Sequence, residues 1–335
     1  MEPRELKGKK ILYGCLDWGN GHVARSIPLI RELCDQGNSI TLWCSQEQQR
    51  IFRNYDLDVQ YHIAFEQDFK FTGDGNFKKE MLRNAFRWSK AMKTERKAVK
   101  AFVEANGTEM IISDHRYGLI SPDVHSVFVT HQVRLPPKSG FIAQWMHKKW
   151  MKAFSEIWIM DTEEDRLAWM LSLPLFMPGA NYIGHYSRFS DRQQQPAVAG
   201  KIVAIISGPE PYAEQLYKQL LTVASGYEDW TFVSGKDYPG ISHSFPVIRD
   251  WREADEAIAA AEYIVSRNGY STLMDLTVLR KKAILIPTPG QLEQLYLANA
   301  HIAHESWEMC HSEDAITTCL MEMKMNLLDD EENEE

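Results

Sequence analysis

Short apolar runs alternate along this chain with longer stretches in which apolar residues return every three or four positions. Lys9–Leu16 (KKILYGCL) is the first such run, fed by lysines and of strand length. It breaks into Asp17-Trp18-Gly19-Asn20-Gly21-His22. Val23, Ile27, Ile30, Leu33 and Cys34 then recur at helical spacing through Val23–Gln36, and Gly37 stands where a C-cap glycine belongs. Ser39–Ser45 (SITLWCS) is the next strand. Strand, glycine loop, helix and strand make a βαβ unit, which predicts a parallel sheet. The alternation continues through DVQYHI, a long helix over Phe77–Ala105, and strands at Glu109–Asp114, Ser126–Thr130 and Glu156–Met160.

The second half restarts the same plan. Ser187–Gly200 (SRFSDRQQQPAVAG) is polar and aperiodic, as a linker is. Lys201–Ser207 (KIVAIIS) repeats the opening, followed by a glycine turn and a helix over Pro211–Ala224. Later strands are predicted at Trp230–Ser234, Pro246–Ile248, Tyr263–Ser266 and Ala283–Ile286, with helices at Arg252–Ala261, Thr272–Leu279 and Leu292–Ala303. The predicted fold class is α/β: two Rossmann-like, doubly wound parallel-sheet domains over residues 1–188 and 201–328. A linker at 189–200 joins them and an acidic tail, 329–335, follows. Such sheets bind ligands beyond the carboxyl ends of their strands, where the glycine loops lie.

The length, 335 residues, agrees with two domains, since single cores stop growing near roughly 250–300 residues. With 44% apolar and 25% charged residues, disordered and fibrous classes drop out. Five cysteines without C-x-x-C spacing point to reduced, buried thiols. The N-terminal apolar stretch is too short for a signal peptide, and no run approaches the roughly 18–20 residues of a bilayer span. The expectation is a cytoplasmic protein. Residues 1–188 carry 26 Lys and Arg against 22 acids, whereas 189–335 carry 11 against 24. So acidic a second half argues against nucleic acid as partner.

Four loops carry candidate chemistry. Gly19-Asn20-Gly21-His22 lets backbone N–H groups approach a ligand at a helix start, which favours negative charge. Ala24 stands where G-x-G-x-x-G needs its third glycine, so a nicotinamide or flavin site is a poor match. His22 is either a reactive imidazole or a plain helix-start residue. Ser207-Gly208-Pro209-Glu210-Pro211 forms a second anion-receiving turn. In Ser266-Arg267-Asn268-Gly269-Tyr270-Ser271-Thr272, small residues open a helix and Asp275 follows one turn in, which suits a pyrophosphate and a ribose diol. Pro287-Thr288-Pro289-Gly290-Gln291-Leu292-Glu293-Gln294 ends in an acid–amide pair able to hold sugar hydroxyls. Each loop is also readable as an ordinary turn before a helix.

In this order the loops resemble the GT-B glycosyltransferases, and within them the family 28 type that includes the peptidoglycan lipid-intermediate N-acetylglucosaminyltransferase. GNGHVARSIPLIREL matches the family's strand–glycine loop–Gly-His–helix opening, with Asp17-Trp18 in place of a fuller glycine run. Ser207-Gly208 matches its second turn. Arg267, Gly269, Thr272 and Asp275 match its Arg-x-Gly-x-x-Thr helix start, with Asp for the usual Glu. Pro287, Glu293, Gln294, Asn299 and Ala300 match its closing loop.

The resemblance implies two domains facing across a cleft and a metal-independent, inverting transfer of N-acetylglucosamine or another hexose from a UDP-sugar to an acceptor hydroxyl. The donor is a substrate, and no cofactor or metal is expected. Ser207, Gly208, Gly269, Ser271 and Thr272 would hold the diphosphate, Asp275 the ribose, Ile248 and Arg249 the base, and Glu293 and Gln294 the sugar. His22 would be the base, oriented by Asp114, with Asp17 and His115 as rivals for that partnership. Gly19, Asn20 and Gly21 would form a phosphate or acceptor loop, and His131-Gln132 would lie on the acceptor side. The acceptor would be a glycan or a lipid-linked species of the cell envelope. A nucleotide-sugar epimerase of the UDP-N-acetylglucosamine 2-epimerase type is the alternative reading, and a non-catalytic sugar-nucleotide-binding subunit is a third.

Two further patterns are ambiguous. Asp56-Leu57-Asp58 fits a cation-binding D-x-D but sits between helix and strand. Lys78–Lys100 holds nine Lys and Arg against Glu80 and Glu95, interleaved with Phe77, Met81, Phe86, Trp88 and Met92. It is either a charged outer helix face with a core-facing stripe, or a helix in peripheral contact with an anionic inner membrane face, extended by Phe141–Phe154.

Overall fold

A computed structural model describes all residues except 18, 65–71, 74–76, 176, 178, 226–228, 242, 312–314, 320 and 322–335; for 77, 78, 81, 82, 85 and 86 it describes the backbone alone. The expected acidic tail therefore lies outside the described residues, as do Trp18 and the side chains of Phe77, Lys78, Met81 and Phe86. The chain divides into two compact units. One comprises Met1–Lys70 and Lys78–Ser190, the other Phe71–Phe77 and Asp191–Glu335.

In the first unit the order is β1 (Lys10–Cys15), α1 (Gly21–Asp35), β2 (Ser39–Cys44), α2 (Gln46–Phe52), β3 (Val59–Ile63), α3 (Phe77–Asn106), β4 (Met110–Asp114), β5 (His125–Thr130), α4 (Phe141–Met151), β6 (Glu156–Ile159) and β7 (Ala180–Tyr182). The sheet runs β3-β2-β1-β4-β5-β6-β7, and every pair is parallel. Crossover helices cover both faces of such a sheet, so β1 and β4 are buried almost throughout, as their apolar runs require. The order turns outward at β1 and β4, where Cys15 pairs with Asp114, and a doubly wound sheet opens its crevice at that point.

The second unit repeats the topology. β8 (Ile202–Ile206), α5 (Tyr212–Ala224), β9 (Trp230–Ser234), β10 (Val247–Ile248), α6 (Trp251–Ala260), β11 (Tyr263–Ser266), α7 (Tyr270–Leu279), β12 (Lys282–Leu285), α8 (Leu292–Ala300) and β13 (Trp307–Met309) build a parallel sheet ordered β10-β9-β8-β11-β12-β13. Its switch point lies between β8 and β11. Trp230, Phe232, Tyr217 and Leu220 fill the core between α5 and the sheet.

The three-residue strands β7 and β13 and the helix α4 were not among the predicted elements. The strands are too short to show a period. In α4 the pattern is inverted: Phe141, Ile142 and Trp145 are exposed at 84%, 73% and 54%.

The long helix α3 resolves its ambiguity by facing. Trp88, Met92, Val99 and Val103 form one stripe turned to the sheet, with Trp88 against Trp150 and Tyr117 at ring distances of 5.1 and 5.7 Å. Lys79, Arg83, Arg87, Lys90, Lys93, Lys97 and Lys100 lie exposed on the other face. Trp88 and Met92 thus belong to the core and offer nothing to a membrane. Glu95 falls on the buried stripe. There it binds Arg116 and accepts from Trp43 Nε1 at 3.1 Å, fastening α3 to β2 and to the β4 exit.

Gly118 closes over that carboxylate. A Cβ there would sit 2.2 Å from Glu95 Oε2 and 3.1 Å from Glu95 Cβ, and Glu95 cannot swing away without leaving Arg116 unpaired. Gly118→Ala is expected to destabilise the protein by about 1–3 kcal/mol, the usual cost of overpacking. Chemical denaturation checks this, and an unchanged midpoint contradicts it.

Candidate active site

The first cluster is built at the β1/β4 switch point. The loop after β1 places Gly21 and His22 at the start of α1, which has no side-chain cap and no acid in its first turn. Asp114 is the last residue of β4 and is fully buried. His22 Nδ1 lies 3.2 Å from Asp114 Oδ1, so the two expected partners meet although 92 residues separate them. The imidazole keeps 16% of its side chain exposed.

Asp114 has a second, closer partner. Arg25, one turn after His22 on α1, donates from Nε to Asp114 Oδ2 at 2.8 Å and from Nη2 to Oδ1. Burial alone would push the Asp114 carboxyl up. The Arg25 guanidinium, and then His22, override it and hold the carboxyl well below the usual carboxylate range. For His22 the balance is opposite. Burial, then Arg25, lower the imidazole below its ordinary value against the pull of Asp114.

Behind this group stands a row of aromatic and polar side chains. His115 adopts a left-handed backbone (φ 58°) at the β4 exit and brings its ring within 5.7 Å of His22. Its Nδ1 is 3.1 Å from Thr130 Oγ1. Burial first, then His22, hold the His115 imidazole well below its ordinary value. His131 and Gln132, at the β5 exit, are buried, and His131 lies close enough to act on His22. His131 Nδ1 is 2.7 Å from Arg25 Nη1, and the Gln132 carbonyl accepts from His147 Nε2 at 2.8 Å. His147, pushed down to about 4 by burial, takes its other bond from the Tyr117 hydroxyl. His131 and the Gln132 carbonyl thus brace the cluster, while the Gln132 side-chain amide nitrogen is buried without a hydrogen-bond partner.

The sequence reading missed Arg25, Tyr117 and His147. Arg25 alone had a signal: position i+3 from His22 shares its helix face. Tyr117 and His147 had none.

The second cluster occupies the strand exits of the other unit. Ser207 and Gly208 (φ 112°) follow β8; Arg267, Asn268 and Gly269 follow β11; Pro287, Thr288 and Gly290 follow β12, and these three strands are neighbours. Helix α7 begins at Gly269 with no side-chain cap, as α8 does at Gln291, whereas Asp250 caps α6 at 2.9 and 3.0 Å. Ser271 and Asp275 stand one turn apart on α7, half-buried. Glu293 and Gln294 open α8. Ile248 and Arg249 stand apart from these, beyond β9 at the sheet edge, where Arg249 forms an exposed ion pair with Asp237. The oxygens Ser266 Oγ, Asn268 Oδ1 and Thr288 Oγ1 are buried here without a hydrogen-bond partner, a pattern that points to a functional site.

Two motif residues prove structural. Arg267 is 2% exposed and donates to the carbonyls of Pro287 (3.0 Å) and Tyr212 (3.1 Å), tying the exits of β11, β12 and β8 together. Gln294 is buried, and its Oε1 accepts from Thr288 N at 2.6 Å. That leaves its amide nitrogen, directed toward Gly269, for any ligand. Asn268 Nδ2 completes the lock on the Gln294 carbonyl at 2.7 Å.

Among the described residues no group of three or more His, Cys, Asp or Glu is placed to hold a metal ion. Asp56 and Asp58 precede β3 and so lie at the opposite end of the sheet from His22 and Asp114.

Because Gln294 serves the loop itself, Gln294→Ala is expected to cost about 1–3 kcal/mol of stability with no ligand present, the penalty of a buried N–H left unsatisfied. Chemical denaturation of the ligand-free protein measures it. A variant as stable as the parent would show that the Thr288 contact holds nothing in place.

Comparison with known proteins agrees with this layout. The sequence profile of the glycosyltransferase family 28 C-terminal domain matches residues 199–335. Over 59 residues the chain is 39% identical to a UDP-N-acetylglucosamine--N-acetylmuramyl-(pentapeptide) pyrophosphoryl-undecaprenol N-acetylglucosamine transferase of Methylobacterium nodulans; the match spans 18% of this chain and 16% of that relative's length. Among solved structures, the glycotransferase of kitacinnamycin covers 95% of this chain and 90% of its own at a TM-score of 0.63 and 11% identity. MurG of Acinetobacter baumannii covers 94% and 90% at 0.54 and 11%. At such identities the structural likeness is one of fold, the two-domain GT-B architecture. Residues 199–335 thus match the family 28 C-terminal domain, and the chain as a whole has the two-domain GT-B fold.

Proposed function

We propose that this chain moves a hexose, N-acetylglucosamine foremost, from a UDP-sugar to an acceptor hydroxyl, with inversion and without a metal. The observation that carries the reading is the coincidence of the family 28 domain with the glycine-lined exits of β8, β11 and β12. Ser207, Gly208, Gly269, Ser271 and Thr272 receive the diphosphate, and the positive end of the α7 dipole offsets its charge. Asp275 takes the ribose hydroxyls, Glu293 and the Gln294 amide nitrogen take the sugar, and Ile248 and Arg249 border the base.

A sugar diphosphate has a good leaving group, so the chemistry needs two things: a base for the acceptor hydroxyl and a preorganised field for the departing charge. The acceptor oxygen attacks the anomeric carbon, the bond to the diphosphate breaks, and the hydroxyl proton passes to His22. Gly19, Asn20 and Gly21 shape the acceptor's approach, and Asp114 stabilises the imidazolium that forms. The epimerase reading is not favoured, since the relatives and neighbours above carry transferase names.

His22→Ala is expected to lower kcat about 10²–10⁴-fold while donor affinity, measured by isothermal titration with the UDP-sugar, stays within about twofold. Equal loss of donor binding, or little loss of kcat, removes His22 from this role.

The acceptor is proposed to be lipid-linked and met at the cytoplasmic membrane face. No helix among the described residues is long and apolar enough to cross a membrane. Contact would be peripheral, through the exposed Phe141, Ile142 and Trp145 of α4, with Lys138, Lys149, Lys152 and the outer cations of α3 around them. Burying an apolar side chain is worth about 1.5–3 kcal/mol and each cation near anionic lipid about 1 kcal/mol. Substituting all three apolar residues by Ser is expected to weaken co-sedimentation with anionic vesicles at least about tenfold. Equal sedimentation of parent and variant, or none by the parent at low salt, favours a water-soluble acceptor.

A further inference from the structure

Arg25 reaches Asp114, His22 and His131 with its guanidinium. Nε and Nη2 grip the two oxygens of Asp114, Nη2 also lies 2.9 Å from His22 Nδ1, and Nη1 lies 2.7 Å from His131 Nδ1. A guanidinium has donors and no acceptor. An imidazole nitrogen that accepts from it must present a bare lone pair, which in a neutral ring puts the proton on Nε2. A base for an acceptor hydroxyl needs the reverse, with Nδ1–H held by the carboxylate and Nε2 bare. His22 Nδ1 has both partners in reach, Arg25 at 2.9 Å and Asp114 Oδ1 at 3.2 Å, and in a neutral ring one protonation state serves only one of them.

We propose that Arg25 is a positioning residue that holds His22 in the Nε2–H form, and that the base-competent Nδ1–H form arises only when Nδ1 passes from Arg25 to Asp114. The inference rests on the reading of His22 as base. The exchange is balanced: Nε2 releases a proton to solvent and Nδ1 takes one up, so the ring's charge is unchanged.

The groups facing His22 are Arg25 on its own helix, Asp114 and His115 at the β4 exit, and His131 at the β5 exit. Asp114 alone among them attracts a proton, and Arg25 occupies both of its oxygens. Burial first, then the Arg25 charge, hold the imidazole below its ordinary value, so it is neutral at neutral pH. What is left for the surroundings to set is which nitrogen carries the proton.

The test uses the full chain labelled with ¹⁵N-histidine, the His22 signals identified by their loss in His22→Gln. In the parent at neutral pH, the Nε2–H pattern of shifts and a titration midpoint below 6.5 are expected. In Arg25→Gln the pattern should invert to Nδ1–H, and the midpoint should rise by about 1–3 units because Asp114 now pairs with His22 alone. Since the base acts neutral, the acid limb of kcat/KM should move up with it, so that activity at pH 6 falls relative to pH 8. Arg25→Lys keeps the charge without the fork; its midpoint should stay low while the Nε2–H preference is lost. An Nδ1–H ring in the parent overturns the proposal without any variant having to fold, as does an Arg25→Gln midpoint equal to the parent's. An unimpaired His22→Ala enzyme would instead refute the base and leave the tautomer result standing.

Discussion

In both sheets every pair runs parallel, and two parallel neighbours cannot be joined by a hairpin. Each strand has to be carried back by a crossover, so the strand exits line up at one end of the sheet, and those of β1, β8, β11 and β12 run into helix starts there. Glycines, helix dipoles and loop polar groups are thereby gathered along one rim in each unit, and the reversal of strand order opens that rim between β1 and β4 and between β8 and β11. The positions of His22, Asp114, Ser207 and Gly269 follow from this constraint before any specific contact is considered.

The two rims are furnished differently. Around His22 the first unit collects groups that hold or exchange protons: Asp114, Arg25, His115, His131 and His147. The exits of the second unit carry glycine, hydroxyl and amide groups, with the charge of Arg267 buried inside the loops as a brace. Proton transfer and the binding of an anionic, hydroxyl-rich ligand make opposing demands. One needs a titratable group shielded from water; the other needs fixed donors that do not change charge as the leaving group departs. Placing them on separate rims lets each environment be tuned alone.

Much of this was legible in the chain. Parallel strands buried on both faces read as continuous apolar runs, which is why KKILYGCL and KIVAIIS announce β1 and β8, and the glycine loops announce the exits. The meeting of His22 with Asp114 was expected from the resemblance to the GT-B glycosyltransferases, with Asp17 and His115 left as rivals. Buried polar contacts were not legible, because they depend on side-chain direction across elements rather than on spacing. Arg25 looked like any helix cation, Glu95 like a surface acid between lysines, Arg267 like a bare motif match and Gln294 like a ligand contact alone. Gln294 also supports its own loop through Oε1, and Arg267 bridges carbonyls of segments 55 and 20 residues away. The two readings left open for α3 could not be separated for the same reason: Trp88 and Met92 have the spacing of a stripe, and only packing decides that these two face the sheet.

The Arg25–Asp114 pair bears on what such buried charge is for. Taking both ions out of water costs several kcal/mol each, and a well-packed apolar pair in the same volume would commonly be as stable or more so. Stability therefore gives no reason for a guanidinium and a carboxylate, 2% and 0% exposed, at the base of a helix. What an apolar pair could not do is hold a fixed negative charge beside an imidazole while limiting how strongly that charge acts. Asp114 pulls a proton toward His22, while burial and Arg25 oppose it. Without Asp114, an imidazolium formed here would lack a counter-ion. With both present, the ring rests neutral and a carboxylate stays 3.2 Å away for the base proposed above.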